Sequence, residues 1–348
     1  MVQAPASPDI FGSLDVFPHY DETTHIGTRF PSKATQLTSF LSSDELIKDL
    51  AILVSHRGVV FFTDQTITID QQKELARRMG KLSGNPRTSD LHIHPISEDV
   101  PELGKDVSVI SSKGGIARAG SDESMRASKG WHADITFERI PSDYALLKMH
   151  TLPPVGGDTL FALLSVKSGY EAYDRLSPAY KNFLEGLNAL HSGEFFNDYA
   201  RQQNLPIQDP RGAPDNTGSN LTAIHPVIRT NPVTEFKTLF FQSHKLLFVG
   251  TNQPAFRFTK RIVELSLDES DGILAYLSRH ISDNHDLQVR FRWSKNDVAI
   301  WDNRSTFHTA TNDYGSSLRQ GNRVVSLGER PFLDPNSKSR NEVFATLQ

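Results

Sequence analysis

Short runs of strand-forming residues recur along most of this chain, while helical periodicity is confined to a few segments. Runs at 131–137, 144–150, 158–162, 224–230, 238–242, 287–293, 297–301 and 322–328 are separated by Gly, Pro, Asn and Asp. Val59-Val60-Phe61-Phe62 reads as a further, buried strand, and VSVIS within 104–130 as another. The strands do not alternate one for one with helices, which argues against a doubly wound βαβ sheet. The pattern predicts a mostly β architecture, a sandwich or jelly roll, with helices packed outside. A chain of 348 residues can bury a large core, and no repeat or composition break divides it, so a single domain over 1–348 is expected.

The helices announce themselves by their ends. Ser42-Ser43-Asp44-Glu45 supplies caps and first-turn acids, Leu46, Leu50 and Leu53 follow at helical spacing, and Gly58 stops the run. A second helix is expected from about Asp70 to a C-terminal Gly80. Residues 165–187 read as two short helices split at Ser177-Pro178, and 267–281 as one helix with Ile273, Leu274, Leu277 and Ile281 on one face. Residues 1–30 lack periodicity and are expected to form an arm laid over the surface. The stretches 104–130 and 197–222 are rich in Gly, Ser, Pro and Asn, long for connections in one domain, and are expected to act as lid loops.

Composition narrows the function. The net charge of −4 argues against nucleic-acid binding. No apolar run is long enough for a bilayer, so no membrane partner is expected. The N-terminus has neither a basic nor an apolar segment of a secretion signal, which predicts a cytoplasmic protein. The absence of Cys removes disulfides, thiolate metal sites and Cys nucleophiles. A metal would be held by His, Asp or Glu, which suits Fe(II), Mn(II) or Zn(II).

The chemistry concentrates in Trp131-His132-Ala133-Asp134-Ile135-Thr136-Phe137. On a strand, His132, Asp134 and Thr136 share one face, so an imidazole and a carboxylate reach one ion. One distant His completes the two-His, one-carboxylate triad of non-haem Fe(II) oxygenases, which leaves positions open for co-substrate and O2. The pair alone is weak, because a second, His19-Tyr20-Asp21, lies in the arm, and a surface His beside an Asp is the bland reading. Downstream, Val298-Ala299-Ile300-Trp301 reads as a buried strand and Asp302-Asn303-Arg304 as a turn, followed by His308, Arg319 and Arg323. On a strand the two arginines share a face, about 13 Å apart at 3.3 Å per residue. They are either surface groups with acidic partners or two clamps for planar anions. His150 and His225 read as structural, His92 as structural and opposite His94, and the tryptophans as core.

The segments WHADITF, GGDTLFA (156–162) and NDVAIWDNRSTFHTATNDY (296–314), with Arg319 and Arg323, resemble the taurine/2-oxoglutarate dioxygenase family of TauD/TfdA type. LHIHP (91–95), HPVIRTNP (225–232) and GVVFFTDQ (58–65) are similar to it too, over roughly residues 55–335 with an apparent insertion near 237–255. The resemblance implies a double-stranded β-helix, a distorted jelly roll. It implies Fe(II) at His132, Asp134 and His308, and 2-oxoglutarate at Thr159 and Arg319. It implies His94 and Arg323 as the pair that binds a small anionic substrate, most simply an alkyl sulfonate. Oxidation beside the sulfur would release sulfite and an aldehyde, with 2-oxoglutarate and O2 giving succinate and CO2. Ser97 and Ser128 stand where taurine enzymes carry a Tyr and an Asn, so recognition of an amino group is not implied. Family members frequently form a homodimer or homotetramer. Alternatives are the same chemistry on an alkyl sulfate, aryloxyalkanoate or other small carboxylate, a cupin-type metal centre at His92 and His94, and a non-catalytic jelly-roll anion-binding protein.

Overall fold

The computed structural model describes residues 10–97, 100, 102–114, 127–163, 171–242 and 259–345. Its strands are β1 (Tyr20–Asp21), β2 (Thr28–Phe30), β3 (Val59–Phe62), β4 (Val107–Ser111), β5 (Ser142–Thr151), β6 (Thr159–Leu163), β7 (Asn188–Ser192), β8 (Thr222–Pro226), β9 (Ile228–Thr230), β10 (Lys237–Leu239), β11 (Thr259–Ile262), β12 (Gln288–Phe291), β13 (Val298–Asp302), β14 (Thr306–Ala310) and β15 (Gln320–Leu327). Its α-helices are α1 (Leu37–Phe40), α2 (Asp44–Arg57), α3 (Ile69–Leu82), α4 (Glu171–Asp174), α5 (Pro178–Leu184), α6 (Glu194–Gln203), α7 (Leu267–Ser282) and α8 (Arg340–Ala345).

A seven-stranded sheet runs in the order β1-β2-β3-β13-β5-β15-β4, and smaller sheets run β12-β6-β14, β11-β7-β8 and β10-β9. The side chains of β3 show how the layers stack. Val59 and Phe61 join Ala145, Leu147, Phe161, Phe291 and Trp301 in a core between the large sheet and the β12-β6-β14 sheet. Val60 and Phe62 point the other way and join Leu50, Leu53, Leu75 and Met79 of α2 and α3. Because both faces are covered, VVFF is buried at every position, as its unbroken apolar run suggests. A third core packs Ala162 and Phe307 against Leu274, Leu277 and Ile281 of α7. Ser43 caps α2 by accepting from the Leu46 N–H, and Gly58 ends it at φ 73°.

Several local expectations change. Residues 131–137 do not form a strand: His132 makes a single bridge to His308, and a turn follows in which Ile135 has φ 49°. Helix α3 runs through Gly80 to Leu82; a Cβ at Gly80 would lie 2.6 Å from Asn85 Nδ2, so Gly serves a close approach there. The N-terminal arm does more than cover surface, since β2 pairs in parallel with β3 and extends the large sheet. The buried Arg57 guanidinium pins the arm through the Thr23 and Gly27 carbonyls at 2.8 and 2.9 Å. Helix α6 occupies the start of 197–222. The run at 238–242 shortens to β10, and most of the 237–255 insertion lies outside the described residues, as do 115–126 of the 104–130 stretch. Among the described residues no helix is long and apolar enough to cross a membrane.

His225 is structural, as expected. It is buried, and its Nε2–H is shared between the carbonyls of Thr136 and Glu138 at 3.0 and 2.9 Å. Burial, aided by the Arg229 charge, pushes its pKa down to about 4. Between pH 6.5 and 4 the unfolded chain therefore binds a proton that the folded chain refuses, and stability falls as pH drops through that window. The slope from this residue is at most ~1.4 kcal/mol per pH unit. Urea unfolding at pH 7, 6 and 5 should show a shallower pH dependence in His225→Gln than in the wild type; equal slopes would remove His225 from the acid response.

Candidate active site

The site begins with a backbone pairing. The His132 N–H donates to the His308 carbonyl at 3.0 Å, and the His308 N–H donates back at 2.8 Å. This locks the imidazoles of a loop residue and a β14 residue side by side, with ring centroids 4.3 Å apart. His132 Nδ1 donates to the Gly130 carbonyl at 2.7 Å, which assigns the ring's lone pair to Nε2. Asp134 opens the turn, and its Oδ1 lies 3.9 Å from Nε2 of both histidines. His132, Asp134 and His308 thus present one ligand atom each within 4.8 Å of one another.

Protonation states suit a cation. Burial first, then the neighbouring His132 charge, lowers His308 to about 3, so the ring is neutral with a lone pair at pH 7. Burial alone would raise Asp134, but Arg323, His308 and His132 outweigh it and hold the carboxyl below its ordinary value. Arg323 Nη1 donates to Asp134 Oδ1 at 2.5 Å. Asp134 Oδ2 is buried with no hydrogen-bond partner among the described residues. A buried carboxylate oxygen left unmet is costly, and a divalent cation held between the two imidazoles and this carboxylate removes that cost. The donor set fits Fe(II).

The GGDT motif builds the neighbouring corner. Gly156 and Gly157 have φ of 83° and 72°, and a Cβ at Gly157 would lie 2.8 Å from Arg319 Cδ. Glycine therefore lets Arg319 lie against the turn, where its Nε donates to the Gly157 carbonyl at 2.8 Å. Its Nη2 donates to Thr159 Oγ1 at 3.3 Å, and Trp293 Nε1 donates to the same hydroxyl at 2.9 Å. Arg319 is buried, which pushes its guanidinium below the ordinary value, and it forms no ion pair among the described residues. Arg319 precedes β15, and the register shifts between Gln320 and Gly321, so simple alternation does not relate it to Arg323.

His94 is buried edge-on against Phe196, ring centroids 4.5 Å apart. Burial, then the charges of His92 and Arg323, holds it well below its ordinary pKa and neutral. The segment is not a strand, and the His92 and His94 rings meet edge to face at 6.0 Å rather than pointing opposite ways. His92 is nonetheless structural: its Nε2 lies 3.2 Å from Glu138 Oε1, and Arg211 grips that carboxylate at 2.5 and 3.1 Å. A cupin-type centre at His92 and His94 is not formed, since His132, Asp134 and His308 are the only metal-capable cluster among the described residues. The His19-Tyr20-Asp21 pair is also structural, with His19 stacked on Phe11 and Asp21 accepting from Thr28.

Residues expected only as core or turn also support the site. A buried Trp needs an acceptor, a signal that could have tied Trp293 to a hydroxyl. Asn303 Oδ1 accepts from the Asp134 N–H at 3.1 Å. Arg211 and Glu138 carried no sequence signal, because neither spacing nor periodicity links them.

Comparison with known proteins agrees with this geometry. Residues 20–325 match the model of the taurine catabolism dioxygenase TauD, TfdA family. The alpha-ketoglutarate-dependent dioxygenase btcD of Neocamarosporium betae is 42% identical, with 98% of this chain and 99% of that protein aligned. The alpha-ketoglutarate-dependent sulfonate dioxygenase of Saccharomyces cerevisiae is 33% identical, with 86% of this chain and 64% of that protein aligned. The crystal structure of a taurine dioxygenase from Burkholderia xenovorans has a similar fold, with a TM-score of 0.64 at 24% identity over 92% of this chain and 93% of that one. The chain belongs to the TauD, TfdA family and is an alpha-ketoglutarate-dependent dioxygenase, an enzyme of Fe(II), 2-oxoglutarate and O2.

Proposed function

We propose that the chain is one dioxygenase domain with a double-stranded β-helix fold, and that it oxidises a small anionic substrate, most simply an alkyl sulfonate. In this reading His132, Asp134 and His308 hold Fe(II), Thr159 and Arg319 hold 2-oxoglutarate, and His94 and Arg323 face the substrate anion. The observation that carries it is Arg319, a buried guanidinium without an ion pair among the described residues, hydrogen-bonded to Thr159. A buried cation in that state calls for an anion, and a planar carboxylate fits its fork. Bound Fe(II) supplies the activation of O2, one oxygen atom ending in succinate as CO2 leaves and the other in the hydroxylated substrate. The protein's own residues bind, orient and exclude water. His308 stays a neutral donor beside His132, Arg319 aims the distal carboxylate, and Phe137 and Phe196 beside His94 keep the substrate side dry.

Two observations support an anionic substrate with an apolar body. Arg323 spends Nη1 on Asp134, but its buried Nε has no partner among the described residues and remains a donor. Glu138, the acid beside His92, is already taken by Arg211, which leaves it engaged rather than available to read an amino group. The name of the yeast relative, a sulfonate dioxygenase, adds support for the sulfonate. Hydroxylation next to the sulfur would give a product that collapses to sulfite and an aldehyde.

Asp134→Ala should abolish both Fe(II) retention, measured by metal analysis after desalting, and substrate-dependent succinate release. Retained activity in that variant would remove the ligand assignment.

Arg319→Ala should raise the 2-oxoglutarate requirement roughly 100-fold, the scale of a lost charge-assisted pair. Thr159→Val should cost less, about 1–2 kcal/mol, because it leaves the Trp293 and Arg319 N–H groups without that acceptor. A 2-oxoglutarate titration of each variant decides the point, and an unchanged curve for Arg319→Ala contradicts the assignment.

A succinate-release screen over small sulfonates, sulfates and carboxylates should find an anion as the best substrate, with taurine not favoured over simpler alkyl sulfonates. Arg323→Ala should depress that release more than it depresses 2-oxoglutarate binding. A neutral or cationic best substrate would sink the reading.

A further inference from the structure

The peptide unit that joins Ala133 to Asp134 is held at both of its polar atoms by side-chain amides. Its carbonyl accepts from Gln242 Nε2 at 2.5 Å, and its N–H donates to Asn303 Oδ1 at 3.1 Å. The two amides arrive from unrelated places. Gln242 follows β10, and Asn303 sits in the tight connection between β13 and β14, the strand that bears His308.

Each amide is itself held. Asn303 Oδ1 also accepts from Trp301 Nε1 at 3.0 Å, and its Nδ2 donates to Ser142 Oγ at 2.8 Å. Gln242 Nε2 also donates to Thr136 Oγ1 at 2.7 Å, and that hydroxyl is bonded to His191 Nδ1 at 2.9 Å. Gln242 Oε1 is buried without a partner among the described residues. Leaving a buried carbonyl unmet costs stability, so the amide is not placed to satisfy itself; its donor nitrogen is given wholly to the turn.

The turn needs holding. Ile135 has φ 49°, a left-handed conformation that a β-branched residue adopts only under constraint. Rotation of the 133–134 peptide changes ψ at Ala133 and φ at Asp134, and so would change the direction in which the Asp134 side chain leaves the backbone at the entry to this turn. His132 is fixed separately by its pairing with His308. Arg323 bonds the carboxylate at its tip, and this peptide plane sets the direction from which it leaves the backbone.

We propose that Gln242 and Asn303 are positioning residues that clamp the Ala133–Asp134 peptide and so set the aim of the Asp134 carboxylate at the metal. The inference rests on the metal assignment above. It is tested with the full chain and Co(II), an air-stable probe whose visible bands report ligand geometry. Gln242→Met and Asn303→Ser should each weaken Co(II) binding about 10–100-fold and shift its visible bands, with the thermal midpoint of the metal-free chain little changed. Asn303→Asp keeps the acceptor for the Asp134 N–H and should recover most of the affinity. The double variant should lose less than the product of the single losses, because one peptide is released only once. Wild-type affinity in Gln242→Met and Asn303→Ser, with Asp134→Ala deficient, overturns the clamp alone. So does an affinity loss that only tracks the loss of folded protein, or failure of both variants to fold. Wild-type affinity in Asp134→Ala overturns the ligand assignment and the clamp with it.

Discussion

Two backbone hydrogen bonds between His132 and His308 organise the rest of this site. They join a loop residue to a strand of the β12-β6-β14 sheet and set two imidazoles side by side before any metal is considered. Backbone bonds of this kind tolerate little sliding, so the sheet's register becomes the register of the two imidazoles. β14 pairs with β6, whose first residue is Thr159, and the same small sheet therefore carries both a metal-side histidine and the hydroxyl that meets Arg319.

Charge is balanced around that frame. One carboxylate, Asp134, sits among the His132 and His308 imidazoles and the Arg323 guanidinium. A second guanidinium, Arg319, is buried beside Thr159 with no ion pair among the described residues. Burying such a group has a cost that folding alone does not offset, and in the proposed role of Arg319 a dicarboxylate co-substrate would offset it on binding. The Glu138 carboxylate is neutralised on the spot by Arg211, with His92 Nε2 beside it, which confines its field to the wall of the site. Arg211 also donates to the carbonyls of Gln208 and Gly218, so the connection after α6 is tied to that wall rather than hanging over it.

Strain and support meet at one turn. Ile135 is left-handed, and the peptide before Asp134 is bonded on both sides by side chains from distant segments. Each of those supports is buried and engaged by further groups, Ser142 and Trp301 for Asn303 and Thr136 for Gln242. A metal ligand on a turn can be as well aimed as one on a strand when its flanking peptide has no free rotation.

The sequence by itself carried the class of fold, the helices at α2 and α7, the buried β3 and β13, and the candidates for metal, co-substrate and substrate. These are local signals: caps, period-two runs, and residue types tied to a family by order and spacing. Even the wrong strand at 131–137 brought His132 and Asp134 together, because two residues along a bridge and a turn cover nearly the same short distance. Tertiary structure decided everything that depends on partners far away in the chain. It bonded Arg323 to Asp134, Trp293 to Thr159, and His92 through Glu138 to Arg211. It also placed Gln242 and Asn303 on one peptide. Such contacts leave no period or spacing in a sequence, because they form only where separately folded segments are packed against one another.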